Sequence, residues 1–166
     1  MKRLFLIPIF LIPIFLSEKA SAIEISEEKA GIISMTCGSI KLSLKNLQKS
    51  DVKSREALGK TYETVLTNFM KPLNIRLINN NHSAGALPSL QSIYSSEKDF
   101  FSWTFVDYSK SLESLIAYDC KTDPYGFYAR LETVREKREA VRSSALRLVD
   151  NRNNYKEEVK TLESSL

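Results

Sequence analysis

Few side chains in this sequence could carry chemistry, and their spacing restricts what that chemistry could be. The lone histidine, His82, lies in the polar cluster Asn79-Asn80-Asn81-His82-Ser83. A metal centre needs several ligands at fixed spacing, and no Glu-x-x-His pair is present to supply them. A Ser-His-Asp or Cys-His device would have to hang its base on a turn, without an obvious oxyanion loop. A solvated loop histidine is therefore the preferred reading. The phosphate-cradling patterns G-x-G-x-x-G and G-x-x-x-x-G-K do not occur. No catalytic residue, metal ligand or cofactor site is expected, and the chain is not read as an enzyme. Asn81-His82-Ser83 fits the N-glycosylation pattern, a triplet short enough to arise by chance.

Four other sets of residues stand out. Cys37 and Cys120 are an even pair in a chain with an export signal, which most simply means one disulfide. A metal or redox thiol pair is the alternative, and no C-x-x-C spacing supports it. Arg138 is a charge in a largely apolar stripe, and Asp51 interrupts a second stripe, so the two are expected to form a structural ion pair. Arg135, Arg138 and Arg142 follow helical spacing; pairing with acids of neighbouring helices is preferred over an anionic surface. Trp103 lies about 160° from the centre of its helix's apolar face, with Phe100 and Val106 beside it. It is either an exposed interaction surface or the seat of another helix. The candidate interaction surface is thus Phe100, Trp103, Val106, Arg135 and Arg142.

The elements that must position these residues begin after the first 22. Lys2 and Arg3 precede the apolar run Leu4 to Leu16, which leads to Ala20-Ser21-Ala22, the three regions of a secretory signal. The run is short of the roughly 20 residues a spanning helix needs, and Pro8 and Pro13 interrupt it. A cleaved signal over 1–22 is expected, followed by a single helical domain over 23–166; retention as an anchor is the alternative. Cleavage removes Lys2, Arg3, Lys19 and Glu18, so the net charge falls from +4 to +2. That excess is too small for a dedicated nucleic-acid binder.

Five Gly and five Pro in 166 residues, with 43% hydrophobic and 27% charged residues, favour a helical fold over disorder or a many-stranded one. From Phe127 the steps run 4, 3, 4, 3 through Leu131, Val134, Arg138, Val141, Ala145, Leu148, Arg152, Tyr155, Val159, Leu162 and Leu166. Only the two arginines are charged, so this is a coiled-coil seam. Asp123-Pro124 supplies its cap and first residue. A second helix is expected over about Ser83 to Asp119, with Leu90, Tyr94, Phe101, Phe105, Tyr108, Leu112 and Leu115 inward. A first region spans about Ser26 to Ile78, with Ile33, Cys37, Ile40, Leu44, Leu47, Leu58, Tyr62, Val65 and Phe69 inward and a kink at Pro72.

The expected fold is all-α, an elongated antiparallel three-helix bundle; an up-down four-helix bundle broken at 49–51 is the alternative. Register favours the first. A hairpin turning near Asn79-Asn80 sets Cys37 opposite Cys120, within disulfide reach. If the last helix runs parallel to the first with Pro124 level with Cys37, the same offset sets Arg138 level with Asp51, with Arg55 one turn on as a competitor.

Leu115-Ile116-Ala117-Tyr118-Asp119-Cys120-Lys121, then Pro124, Phe127-Tyr128, Leu131, Val134-Arg135 and Arg138, resemble small secreted helical proteins of candidate-phylum bacteria of the Saccharibacteria type. Cys37, Asp51 and Arg55 are similar to the earlier region of those proteins. The resemblance implies an exported helical protein and no particular chemistry. The functional expectation is a secreted or envelope protein that acts by interaction, with a protein or envelope component as partner. A holdase-type chaperone, which would usually be an oligomer, and a membrane-binding helical protein are the alternatives.

Overall fold

The computed structural model describes residues 25–164; the expected signal over 1–22 and the seam residue Leu166 lie outside them. The described residues form helix α1 (Glu27–Thr64), a π-helical turn (Val65–Met70), α2 (Lys71–Asn79), α3 (Leu87–Ala117) and α4 (Pro124–Glu163). Because α1, the π turn and α2 follow one another without interruption, these are three rods in an antiparallel up-down-up bundle. Among the described residues no helix is long and apolar enough to cross a membrane.

Local chemistry sets the helix ends. Ser26 accepts a hydrogen bond from the Lys29 amide, and Glu27 and Glu28 place negative charge on the first turn of α1. Asp123 caps α4 by accepting from the Gly126 amide at 2.8 Å. No side chain of its own caps α3. A carboxylate oxygen of Glu158, on α4, accepts from the Ala86 amide at 3.0 Å instead, so the start of α3 depends on its neighbour. Between α2 and α3, Asn81 and Gly85 take positive φ (57° and 51°), which ends α2 and starts α3 at Leu87 rather than at the expected Ser83.

Lys49, Ser50 and Asp51 are helical, so the four-helix alternative with a break at 49–51 does not form. Asp51 is not a cap. The irregularity falls at Pro72 instead and is a π turn. Pro72 has no N–H to offer the Asn68 carbonyl, and its ring would collide with that carbonyl in a regular helix. The turn ahead of it widens, and the Lys71 amide reaches back five residues to the Leu66 carbonyl. Buried positions therefore step by four, through Tyr62, Leu66, Met70 and Asn74. Phe69, expected inward, is left out of phase and 64% exposed.

The core has two parts. Cys37, Leu44, Phe105, Tyr108, Leu112, Leu115, Cys120, Phe127 and Val134 cluster around the disulfide. Tyr62, Leu66, Met70, Leu87, Tyr94, Phe101, Leu148 and Tyr155 fill the other end, with the Tyr62 and Phe101 rings edge to face at 5.3 Å. Buried Thr104 and Ser144 lie with their hydroxyls 3.3 Å apart between α3 and α4. A polar node ties the second cluster together. The Tyr155 hydroxyl lies 2.7 Å from Asn74 Oδ1 and 3.1 Å from the Met70 carbonyl, and the Asn74 amide donates to Gln91 at 2.8 Å. Burial pushes the Tyr155 hydroxyl up to about 12. Of the seam on α4, Phe127, Val134, Leu148 and Tyr155 are buried, whereas Arg138 and Arg152 are exposed.

Candidate functional site

At the closed end of the bundle the Cys37–Cys120 disulfide joins α1 to the α3–α4 turn, with Cα atoms 5.6 Å apart. The turn is held from several sides. Ser34 donates to the Lys121 carbonyl at 3.0 Å, and the Tyr118 hydroxyl donates to Asp123. The Arg130 guanidinium stacks 4.5 Å from the Tyr118 ring centre. The Tyr118 hydrogen bond and the Gly126 amide hold the Asp123 carboxyl below its ordinary range. These contacts constrain geometry and leave no reactive thiol among the described residues.

One third of the way along the bundle Asp51 and Arg138 meet. Arg138 Nε donates to Asp51 Oδ2 at 2.9 Å, and Nη2 donates to Oδ1 at 3.0 Å. The Tyr108 hydroxyl, from α3, donates to Oδ2 at 2.7 Å, so one carboxylate binds all three rods. The exposures are unequal. Asp51 is 16% exposed and Arg138 51%, so the arginine reaches back from solvent rather than sitting in a buried seam. Burial alone would raise the Asp51 pKa, but the hydrogen bonds from Arg138 and Tyr108 and the guanidinium charge bring it below the usual value. Burial and the Asp51 hydrogen bond push the Tyr108 hydroxyl upward.

Arg55 does not compete for Asp51. Its guanidinium lies 5.8 Å from the Phe105 ring centre, and its buried Nε has no hydrogen-bond partner. It faces a groove of about 300 Å³ between α1 and α4, whose apolar wall includes Leu58, Phe105 and Val141 and whose rim carries Arg138 and Arg142. Leu58, expected in the core, is on this groove.

The aromatic face of α3 is exposed. Trp103 is 63% exposed, with Phe100 beside it at a ring separation of 6.0 Å and Val106 one turn away, so among the described residues no helix covers them. The cation set against this face is Arg147, 5.1 Å from the Phe100 ring centre and paired with Glu97 at 2.9 Å. Arg135 and Arg142 pair instead with Glu132 and Glu139, one turn back on their own helix. The expected pairing with neighbouring helices holds for Arg138 alone, because residues three apart on one helix meet at smaller entropic cost than residues of different rods.

His82 is exposed in the α2–α3 turn, and no group of three or more His, Cys, Asp or Glu among the described residues is gathered as a metal site. Sequence reasoning missed Tyr108 as a partner of Asp51, since helical spacing reports its apolar face and not the reach of its hydroxyl. It also missed the Tyr155, Asn74 and Gln91 node. The only signal was three polar-tipped residues falling on inward positions. No family model matches this chain, and neither the curated proteins nor the solved structures contain a match to it.

Proposed function

We propose that this chain is an exported, non-catalytic helical protein that acts outside the cytoplasm by binding a protein or envelope component through the Phe100, Trp103 and Val106 face. The exposure of Trp103 carries this reading. A tryptophan left in water on a helix whose opposite side packs into the core forgoes a burial term of a few kcal/mol, and such residues are the usual anchors of interfaces. The disulfide supports the extracytoplasmic part, because it persists in oxidising compartments. It also keeps α1 and the α3–α4 hairpin in register, so the face is presented on a rigid support.

Two measurements test the proposal. Sequencing the amino terminus of protein recovered from outside the cytoplasm should give a chain beginning near Ile23. Envelope fractions of the producing organism passed over wild-type and Trp103→Ser protein should leave a partner on the first and not on the second. Equal retention by both would remove the aromatic face from the proposal. The remaining exposed apolar residues, among them Met35, Leu42 and Leu58 on α1, Ile75 and Ile78 on α2 and Leu146 on α4, are spread along the rod, which favours a single partner over the apolar cradle of a holdase.

A further inference from the structure

The widened turn before Pro72 creates a second concavity, distinct from the aromatic face of α3. Between α2 with its π turn and the last third of α4 runs a groove of about 450 Å³, within the range of about 300–1,000 Å³ common to small-molecule sites. Its walls include Leu73 and Val159, and Phe69 stands at its mouth, turned outward by the change of helical phase. Three cations, Arg76, Arg152 and Lys156, lie on the same groove, and no carboxylate contributes to its lining.

Two other grooves of the molecule carry carboxylates beside their cations: Asp51 and Glu139 with Arg138 and Arg142 in one, and Glu56 and Glu63 with Lys60 and Lys98 in the other. Among the described residues, no carboxylate lies within ion-pair distance of Arg76, Arg152 or Lys156. Three like charges around one apolar trough repel one another, and an anion lying among them removes that repulsion. The trough beneath them gains from an apolar body, since covering Phe69, Leu73 and Val159 withdraws hydrocarbon from water. Arginine is suited to the head group, as its fork binds a carboxylate or phosphate through two donors.

We infer that the groove between the π turn and α4 binds a single-chain amphiphile with an anionic head, taken up as a free monomer, its chain against Leu73 and Val159 and its head among Arg76, Arg152 and Lys156. The concave shape favours a monomer over a flat bilayer surface. The site does not involve Trp103, so it stands or falls separately from the aromatic face.

The test is calorimetric titration of the purified, disulfide-bonded chain with laurate below its micellar concentration. Saturable binding of one laurate per chain is expected. The neutral single-chain amphiphile dodecyl maltoside should bind at least tenfold more weakly. Arg152→Gln combined with Lys156→Gln, both solvent-exposed positions, should weaken laurate at least tenfold, and Phe69→Ser at least threefold. Trp103→Ser and Arg142→Gln should leave laurate binding unchanged. Helical circular dichroism checks that each variant is folded, and amide chemical shifts should move around Phe69 and Val159. Absence of saturable laurate binding overturns the inference, as does equal binding by the Arg152/Lys156 variant. So does co-sedimentation with phosphatidylglycerol vesicles in the absence of monomer binding, which would make this end of the rod a membrane surface.

Discussion

The Arg138 guanidinium holds both oxygens of Asp51 from a position 87 residues further along the chain. The same offset separates Ser34 on α1 from its acceptor, the Lys121 carbonyl in the turn ahead of α4, so the height at which α4 starts beside α1 already sets the level at which Arg138 meets Asp51. Beyond it the offset shrinks. Tyr155 meets Met70 at a separation of 85 and Asn74 at 81, because the π turn uses more residues per unit height than α4 does. The Asp51 pair therefore lies where the two rods last agree, and Tyr108 completes it from the third.

Asp51→Ala should cost more than Arg138→Ala. Removing the carboxylate leaves the buried Tyr108 hydroxyl without its acceptor, a loss of about 1–3 kcal/mol, whereas Arg138 is half exposed and its partner keeps the tyrosine, so about 1 kcal/mol or less is expected. Urea unfolding of the two single variants and the double variant checks this, with a coupling near 1 kcal/mol; strict additivity contradicts a working pair. The pH dependence has a definite sign. The folded pKa of Asp51 lies below its unfolded value, so the stabilisation is complete above about pH 4 and is lost as pH falls through the folded pKa. The gap in stability between wild type and Asp51→Asn should close in acid and not in base.

At the alkaline end the tyrosines of the core act in the opposite direction. Burial pushes Tyr94 and Tyr155 up to about 12, and Tyr108 is raised as well. A folded pKa above the unfolded value of about 10 means that the native state keeps its proton longer, so stability falls as pH rises from about 10 towards 12. Absorbance of tyrosinate should show Tyr94, Tyr108 and Tyr155 ionising above pH 10, together with loss of helical circular dichroism. A single simple titration of all seven tyrosines near pH 10, with the helices intact, would contradict this.

Reduction of Cys37–Cys120 opens a loop of 83 residues, worth roughly 4 kcal/mol in the chain-entropy treatment and often less in practice. Thermal melts with and without reductant should differ accordingly. Helix content at low temperature should survive reduction, because the packing around Leu112, Leu115 and Phe127 does not need the bond to be in place.

Trp103 is the one tryptophan of the chain and is largely in water. Its emission should be red-shifted and open to iodide quenching in the folded state, and should change little on unfolding in urea. Trp103→Ser should alter stability by no more than about 0.5 kcal/mol. A blue-shifted, protected emission in dilute protein would mean that the face is covered.

Much of the architecture was legible in the residues before any coordinate was known. Because α-helices rise by a constant amount per residue, a hairpin pairs positions of constant index sum and parallel rods pair positions of constant offset. That is why Cys37 and Cys120 could be placed opposite each other, and Asp51 level with Arg138, from spacing alone. The seam from Phe127 and the Asp123-Pro124 start of α4 were readable for the same reason, since an uninterrupted pattern and a cap are local properties. What only the tertiary structure decided begins at Pro72. Whether the chain there kinks or widens depends on which distortion the neighbouring rods accommodate, and the choice of a π turn turned Phe69 outward and Met70 and Asn74 inward. The reach of the Tyr108 and Tyr155 hydroxyls, the orphaned Arg55 Nε and the unmatched cations near Lys156 belong to the same class. Periodicity determines which face of a helix is buried, but where a polar tip ends, and which charge it finds, is determined by side chains brought from other rods.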